Sequence, residues 1–428
     1  MLRIANLSLL KISIPSILLL FIILYQYLGI PILYFQLDEY RAAEVTNNFL
    51  MIKVFLFMVI AITLLIFGFI LGRKVFGPIY SFEMKYLEHQ KDKILFFLTC
   101  LLFFICITVL FSYINKIGLN NLVITSLFGL VSDINDSSNN LLRSNMTNNF
   151  DGRYHWYHAF MIETLFFVSM IFVVMRQQKN SLLRNFFLII SLLTLSFALL
   201  MSGQKGPITD LIFGVGIALV IIKNRSIISL KIISIIGIIL LALIVPLYYL
   251  FMDSSDFFTA FTSVFSRTLT GQLQPVYVYL EYFPLHRDFL LGATFPNPGG
   301  IFPFEPVVIT QEIMEWYNQN QNGVVGSMPT IFWVEAYINF GFLGLIFIPI
   351  LLGFFLYGIN IFILKIQHNP ATLGFYIWMI IFYKNLSGTF FSGFIISIYL
   401  ALVVIALVLL SSIFGFGKFK LHSRNSNL

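Results

Sequence analysis

Residues 253–330 read DSSDFFTAFTSVFSRTLTGQLQPVYVYLEYFPLHRDFLLGATFPNPGGIFPFEPVVITQEIMEWYNQNQNGVVGSMPT, the longest polar segment in a chain that is otherwise almost wholly apolar. The segment carries Arg267, Glu281, His286, Arg287, Asp288, Glu305, Glu312 and Glu315 among many aromatic residues, with a Pro/Gly turn at Pro296-Asn297-Pro298-Gly299-Gly300. Long connections between helices are usually functional or disordered, and the apolar content of this one argues against disorder. We therefore read it as a domain of its own, held at one face of a bilayer, with membrane helices before it (1–252) and after it (331–428).

Composition supports that division. Of 428 residues 59% are hydrophobic, only 11% are charged and 49 are Phe, whereas a soluble domain has about a quarter of its residues charged. The chain reads as an all-α polytopic membrane protein. Cys100 and Cys106 lie in one apolar run, and no Cys/His cluster suggests a metal or a disulfide. The net charge of +7 is better explained by its distribution along the chain than by a nucleic-acid partner. The basic start, 1–11, leads into an apolar run about twice the length of a signal-peptide core, without a small-residue cleavage site, and predicts an uncleaved first helix.

Runs of about 17 to 25 apolar residues can cross a bilayer. Such runs lie near 12–35, 50–71, 94–114, 159–175, 185–201, 207–222, 232–251, 331–364, 371–386 and 391–414, predicting about ten transmembrane helices. The eighth is overlong, with room to tilt or break, and the ninth is short. With both termini cytoplasmic, the inner segments hold 17 of the 26 basic residues and only 3 of the 19 acidic ones, as the positive-inside rule requires. The segment 253–330 is then extracytoplasmic, as is the Asn/Ser-rich loop 115–158. That loop ends in Asp151-Gly152-Arg153-Tyr154-His155-Trp156-Tyr157-His158, which reads either as an interfacial aromatic belt or as a platform on which sugar rings stack.

Ionisable residues within or beside a membrane are costly and mark function. In Ser202-Gly203-Gln204-Lys205-Gly206-Pro207, a short turn places Lys205 among glycines at a helix start, a suitable anion site, unless Asp210 neutralises it. Arg267 falls in a helical stretch just outside the seventh span. Its guanidinium can grip phosphate oxygens with two parallel hydrogen bonds or form a helix-surface ion pair. Arg287, between His286 and Asp288, is a second clamp candidate or solvated surface. Glu335 lies about a turn inside the eighth span, where a partly desolvated carboxylate suits a general base or an ion-pair partner. Lys384, in Tyr383-Lys384-Asn385, reaches the outer surface as a site residue or as a snorkelling anchor. The array fits a phosphate headgroup attached to a polar, sugar-like body, and no Walker motif is present.

Three local patterns resemble the Wzy-type oligosaccharide repeat-unit polymerases of bacterial surface polysaccharide synthesis, within the wider group that includes the O-antigen ligases. Ser202-Gly203-Gln204-Lys205-Gly206 is similar to that family's Ser-Gly-x-Arg/Lys-Gly turn. Ser266-Arg267, Pro284 and Leu291-Gly292-Ala293-Thr294-Phe295 are similar to its Arg, Pro, Leu-Gly-x-x-Phe series. Gly326-Ser327-Met328-Pro329-Thr330, Glu335-Ala336-Tyr337-Ile338-Asn339-Phe340-Gly341 and Gly344 are similar to its loop exit and following helix. Together they span roughly the second half of the chain.

The resemblance implies a GT-C-like glycosyltransferase of the bacterial inner membrane that needs no metal or other cofactor. Its substrate would be undecaprenyl-pyrophosphate-linked oligosaccharide, with a chain-length regulator and a flippase as partners. Lys205 and Arg267 would hold the pyrophosphate, with Arg287, Arg153 and Lys384 as further substrate-binding residues. The general base stays open among Glu335, Glu281 and His286, in that order. Where related ligases carry a His-Asn pair, this chain has Pro329-Thr330-Ile331, which places ligation second to polymerisation. A flippase or other transporter remains the reading from another class.

Overall fold

The structure, a computed structural model, describes residues 3–4, 7–8, 11–38, 45–79, 89–118, 146–147, 150, 153–201, 206–224, 256–297, 300–318, 326–366 and 368–412, with a few helical residues between 237 and 249. Apart from a small antiparallel pairing of Arg3–Ile4 with Leu7–Ser8, the described residues form helices joined by turns. Eight helices are long and apolar enough to cross a membrane. They are α1 (Ile14–Tyr34), α2 (Asn48–Phe76), α3 (His89–Ile117), α4 (Tyr154–Gln178), α5 (Leu182–Met201), α6 (Gly206–Asn224), α10 (Phe332–Lys365) and α12 (Ser392–Ser411). Three shorter helices, α7 (Phe257–Leu269), α8 (Gln274–Tyr282) and α9 (Ile309–Tyr317), occupy the polar segment.

Of the ten expected spans, the seventh, 232–251, lies largely outside the described residues. The ninth is α11 (Pro370–Lys384), only 15 residues long and buried at every position. At about 1.5 Å per residue it is shorter than a bilayer core is thick, and a helix apolar all round belongs in the middle of a bundle. It packs against α1, α4, α6 and α12. Asn369 starts it with a reciprocal capping box to Thr372, with Pro370 in the first turn.

The heaviest packing is between α2 and α10, which run parallel. Phe57 meets Tyr337 and Phe342 near one end. Further along, a Cβ on Gly68 would stand 2.3 Å from the Ile350 carbonyl oxygen, and one on Gly353 2.3 Å from that of Leu65. Small residues that let backbones touch are the usual glue between helices in lipid. The overlong eighth span does break. Phe340 and Gly341 leave helical geometry, and Gly341 adopts φ +59°, which a Cβ would strain.

At one end of the bundle the basic residues gather. Lys11 Nζ donates to the Ile79 carbonyl (2.7 Å), Tyr357 hydroxyl to that of Gly77 (2.8 Å), and Arg184 pairs with Asp92 while donating to Met175 O (2.7 Å). At the opposite end, α7 and α8 rest on the first two helices. Ser266 and Thr270 hydroxyls both donate to Asp38, Gln26 Nε2 to Gln272 O (3.3 Å), and Asn47 N–H to the Tyr277 hydroxyl (3.1 Å).

The α2–α10 contact generates a prediction. Gly68→Val overpacks the crossing and should cost about 1–3 kcal/mol, lowering the thermal midpoint of detergent-solubilised protein. Leu351→Ala, at an exposed position on α10, should leave the midpoint near wild type.

Candidate functional site

The chain break in α10 frees two carbonyls that an unbroken helix would use itself, and the polar segment takes them. Leu290 N–H donates to Ile338 O (2.9 Å) and Leu291 N–H to Asn339 O (3.0 Å). Side chains then lock the joint. Thr294 Oγ1 donates to Glu335 Oε1 (2.8 Å), Asn339 Nδ2 donates to Thr294 Oγ1 (2.8 Å), and Asn339 Oδ1 accepts from Gly292 N–H (2.9 Å). Ser392 N–H, from the start of α12, donates to the other Glu335 oxygen (3.1 Å). Leu291–Phe295 and Glu335–Gly341, the second and third sequence patterns, are thus brought together. Gly344 completes the fit, since a Cβ there would stand 1.9 Å from Ala336 O. Glu335 is 0% exposed with both oxygens accepting, so in this arrangement it braces three segments and faces no open space.

Burial and the nearby Glu335 push the Tyr279 phenol well above its ordinary range, so it stays protonated and donates to Met328 O (3.0 Å). Arg287 is not free. It pairs with Glu312, which also accepts from the Tyr282 hydroxyl (2.9 Å). His286 stacks beside them on Tyr282 and Trp316, with ring centroids 5.6 and 5.2 Å away. These contacts clasp α8 to α9. Glu281 is half-buried on α8, and its carboxylate makes no hydrogen bond or ion pair among the described residues.

Arg267 stands apart from them. It sits exposed in the last turn of α7, and its guanidinium has no hydrogen bond or ion pair among the described residues. The same helix bares Phe257, Phe258, Phe261 and Phe265, spaced to share one face. Its opposite side is held by Asp38 through Ser266 and Thr270. Arg267, two positions on from Phe265, falls on a different side of the helix from that stripe.

Within the bundle, α11 gathers a second polar group. Lys384, 5% exposed, pairs with Asp210 of α6 and lies 4.9 Å from the Phe21 ring centroid. It is an internal ion pair, neither a snorkelling anchor nor a free cation. Asp210 is thereby engaged by Lys384, and Lys205 lies outside the described residues. One helix over, Trp378 Nε1–H donates to Glu163 Oε2 on α4 (2.8 Å). Glu163 is within electrostatic reach of Asp210. His158 Nδ1 lies 4.0 Å from Glu163 Oε1, and Tyr399 of α12 covers the His158 ring with centroids 4.9 Å apart.

The aromatic stretch at the start of α4 faces two ways. Trp156 and Tyr157 line an open groove of about 280 Å³ with Val109, Ser112 and Phe160, whereas Tyr154, His155 and His158 turn toward Tyr399 or Tyr113. Arg153, exposed just before the helix, makes no side-chain hydrogen bond or ion pair among the described residues. Sequence reasoning passed over Glu163 and Trp378. The available signal was one acid inside an otherwise apolar run, Ala159-Phe160-Met161-Ile162-Glu163-Thr164-Leu165-Phe166-Phe167.

Compared with known families, curated proteins and solved structures, the chain matches no family model, no curated protein and no solved structure.

Two outcomes test this geometry. Lys384→Met or Asp210→Asn alone leaves a buried group unpaired and should cost about 3–5 kcal/mol. The double variant should recover a large part of that loss, measured by thermal midpoint and yield in detergent. Asn339→Ala removes the acceptor of Gly292 N–H and should cost about 1–3 kcal/mol, read as faster proteolysis within 291–297.

Proposed function

We propose that this chain is a membrane glycosyltransferase that polymerises oligosaccharide repeat units carried on a polyprenyl pyrophosphate, at the outer face of a bacterial inner membrane. The observation that carries the reading is Arg267, an exposed guanidinium with no ion pair among the described residues, on a helix that bares four phenylalanines along another face. A pyrophosphate joined to a long hydrocarbon tail offers charge at headgroup depth and apolar chain just beneath it, and α7 carries a group suited to each, on separate faces. In the transfer, Arg267 neutralises the charge that develops on the departing pyrophosphate. The joining of Leu291–Phe295 to Glu335–Gly341 adds support, because parts of two of the three patterns that resemble Wzy-type polymerases form a single joint.

On this reading the basic end of the bundle is cytoplasmic and the segment 256–331 is extracytoplasmic. A transporter is the competing reading. It is favoured by the ion pair of Lys384 with Asp210 and the nearby Glu163, which place ionisable groups inside three spans.

The test is the length distribution of surface polysaccharide in cells deleted for the gene and complemented with wild type or Arg267→Ala. Polymerisation predicts a ladder collapsed to a single capped repeat unit in both the deletion and the variant. Polymer that persists on the lipid carrier while surface glycan disappears would instead indicate ligation. Repeat units trapped on the cytoplasmic side would indicate transport, and an unchanged ladder would remove the chain from glycan assembly.

A further inference from the structure

We infer that Glu163 and His158 form the site that receives the attacking sugar hydroxyl, with Glu163 as the proton acceptor; this rests on the polymerase reading above. Glu163 Oε2 is fixed by the Trp378 indole N–H (2.8 Å), whereas Oε1 makes no hydrogen bond among the described residues. His158 Nδ1 is buried and also lacks a hydrogen-bond partner. The two free atoms are 4.0 Å apart, too far to bond each other. Their spacing is that of two atoms bridged by one hydroxyl oxygen with bonds of about 2.8 Å, and since Nδ1 is closed to solvent the His158 ring must turn to admit that oxygen.

Local backbone geometry creates the pair. Residues five apart on an α-helix point about 140° away from each other. Residues Ala159–Thr164 instead form a π-helical turn, closed by the Thr164 hydroxyl donating to Ala159 O (2.8 Å). The wider turn carries Glu163 round to the side of His158. Such turns recur at functional sites because the inserted residue re-aims a side chain at a cost in helix stability.

The surroundings fit a sugar. Tyr399 lies against the His158 ring, its hydroxyl is 3.1 Å from His155 Nδ1, and Tyr154 meets His158 edge-on with centroids 5.8 Å apart. The Glu163 side chain keeps 21% exposure within α4, the most buried of the long helices. A carboxylate facing hydrocarbon is strongly disfavoured, so on this inference the exposed part of Glu163 meets water or the acceptor sugar. Its other charged neighbours, Asp210 and Lys384, neutralise each other.

In the transfer, the hydroxyl oxygen of the acceptor's terminal sugar forms the new bond to the anomeric carbon of the donor. The bond from that carbon to the pyrophosphate oxygen breaks, and its electron pair leaves with the pyrophosphate. The hydroxyl proton passes to Glu163 Oε1. His158, protonated at Nδ1, donates to the hydroxyl oxygen and holds its remaining lone pair toward the donor. Glu335 does not serve here, because both of its oxygens are occupied.

The experiment compares Glu163→Gln with wild type in membrane vesicles from the deletion strain, using the cells' own lipid-linked repeat units as substrate. Gln keeps an acceptor for Trp378 and nearly the same volume. Abundance and thermal midpoint should therefore stay at wild-type level while the polymerisation rate falls about 10²- to 10⁴-fold, the usual range for loss of a general base. Glu163→Gln with a wild-type rate would overturn the inference while leaving the polymerase reading intact. If wild-type vesicles form no polymer either, the polymerase reading itself has failed. Should Glu163→Gln not reach the membrane, His158→Phe keeps a ring against Tyr399 and removes both nitrogens. At least a tenfold loss of rate is expected from it, and a wild-type rate would count against the site.

Discussion

The bundle depends on α11 and on the two bonds its far end makes, Lys384 to Asp210 and Trp378 to Glu163. A helix of 15 residues cannot span a bilayer unaided, and this one touches no lipid because every position is buried. Its polar groups must therefore be answered by other helices, and in hydrocarbon an unanswered group is strongly unfavourable. The answers come from α4 and α6, so α11 fixes how those helices sit with respect to each other. At the other end, Asn360 Oδ1 accepts from Ile14 N–H (3.0 Å) and from the Tyr376 hydroxyl (3.1 Å), tying α10 and α11 to the start of α1.

From that fixed helix the chain reaches the polar segment without a gap. Asn385–Ser387 turn directly after Lys384, and a Cβ on Gly388 would stand 2.7 Å from Gln272 Oε1. Phe390 meets Tyr279, Phe391 meets Phe295, and Ser392 N–H donates to Glu335. The break at Phe340–Gly341 is the counterpart on α10, since it supplies the carbonyls that receive Leu290 and Leu291. An unbroken helix would leave the polar segment no backbone to bond with. The break thus couples segment 256–331 to the bundle through main-chain bonds, which hold position more firmly than surface side chains do.

Much of this was legible in the sequence. Apolar run length located the eight long helices, and the excess length of the eighth left tilting or breaking open, of which the structure shows the break. What composition could not convey was pairing. Lys384 and Asp210 are 174 residues apart, and nothing local marks one as the partner of the other. Arg287 looked like a clamp because Glu312 lies 25 residues on, across a turn whose course the pattern does not reveal. Glu335 looked poised for proton transfer because an acid near a span end is conspicuous, whereas Thr294 and Ser392, which occupy it, are ordinary residues. Glu163 was hidden for a different reason. Helical periodicity assigns 158 and 163 to different faces, and only the π turn reverses that.

The same constraint separates the polar groups that serve the fold from those that do not. Replacing a buried ion pair by apolar side chains is often neutral or stabilising, so a bundle selected only for stability has little reason to keep Lys384 with Asp210. Once kept, that pair is at least complete, as is the clasp of Arg287, Glu312 and Tyr282. Glu335, Asn339 and Thr294 satisfy one another in the same way. Buried side-chain atoms of Gln26, Thr330, Trp333, Asn360, Tyr383 and Ser411 also lack partners among the described residues, so what sets Glu163 and His158 apart is that a helix bent out of α geometry brings two unfilled positions close together. Arg267, exposed on α7, likewise has no ion pair among the described residues. Native interiors seldom leave such positions unfilled, and it is two of them facing each other across 4.0 Å in a reshaped turn, rather than any single one, that supports the site we infer.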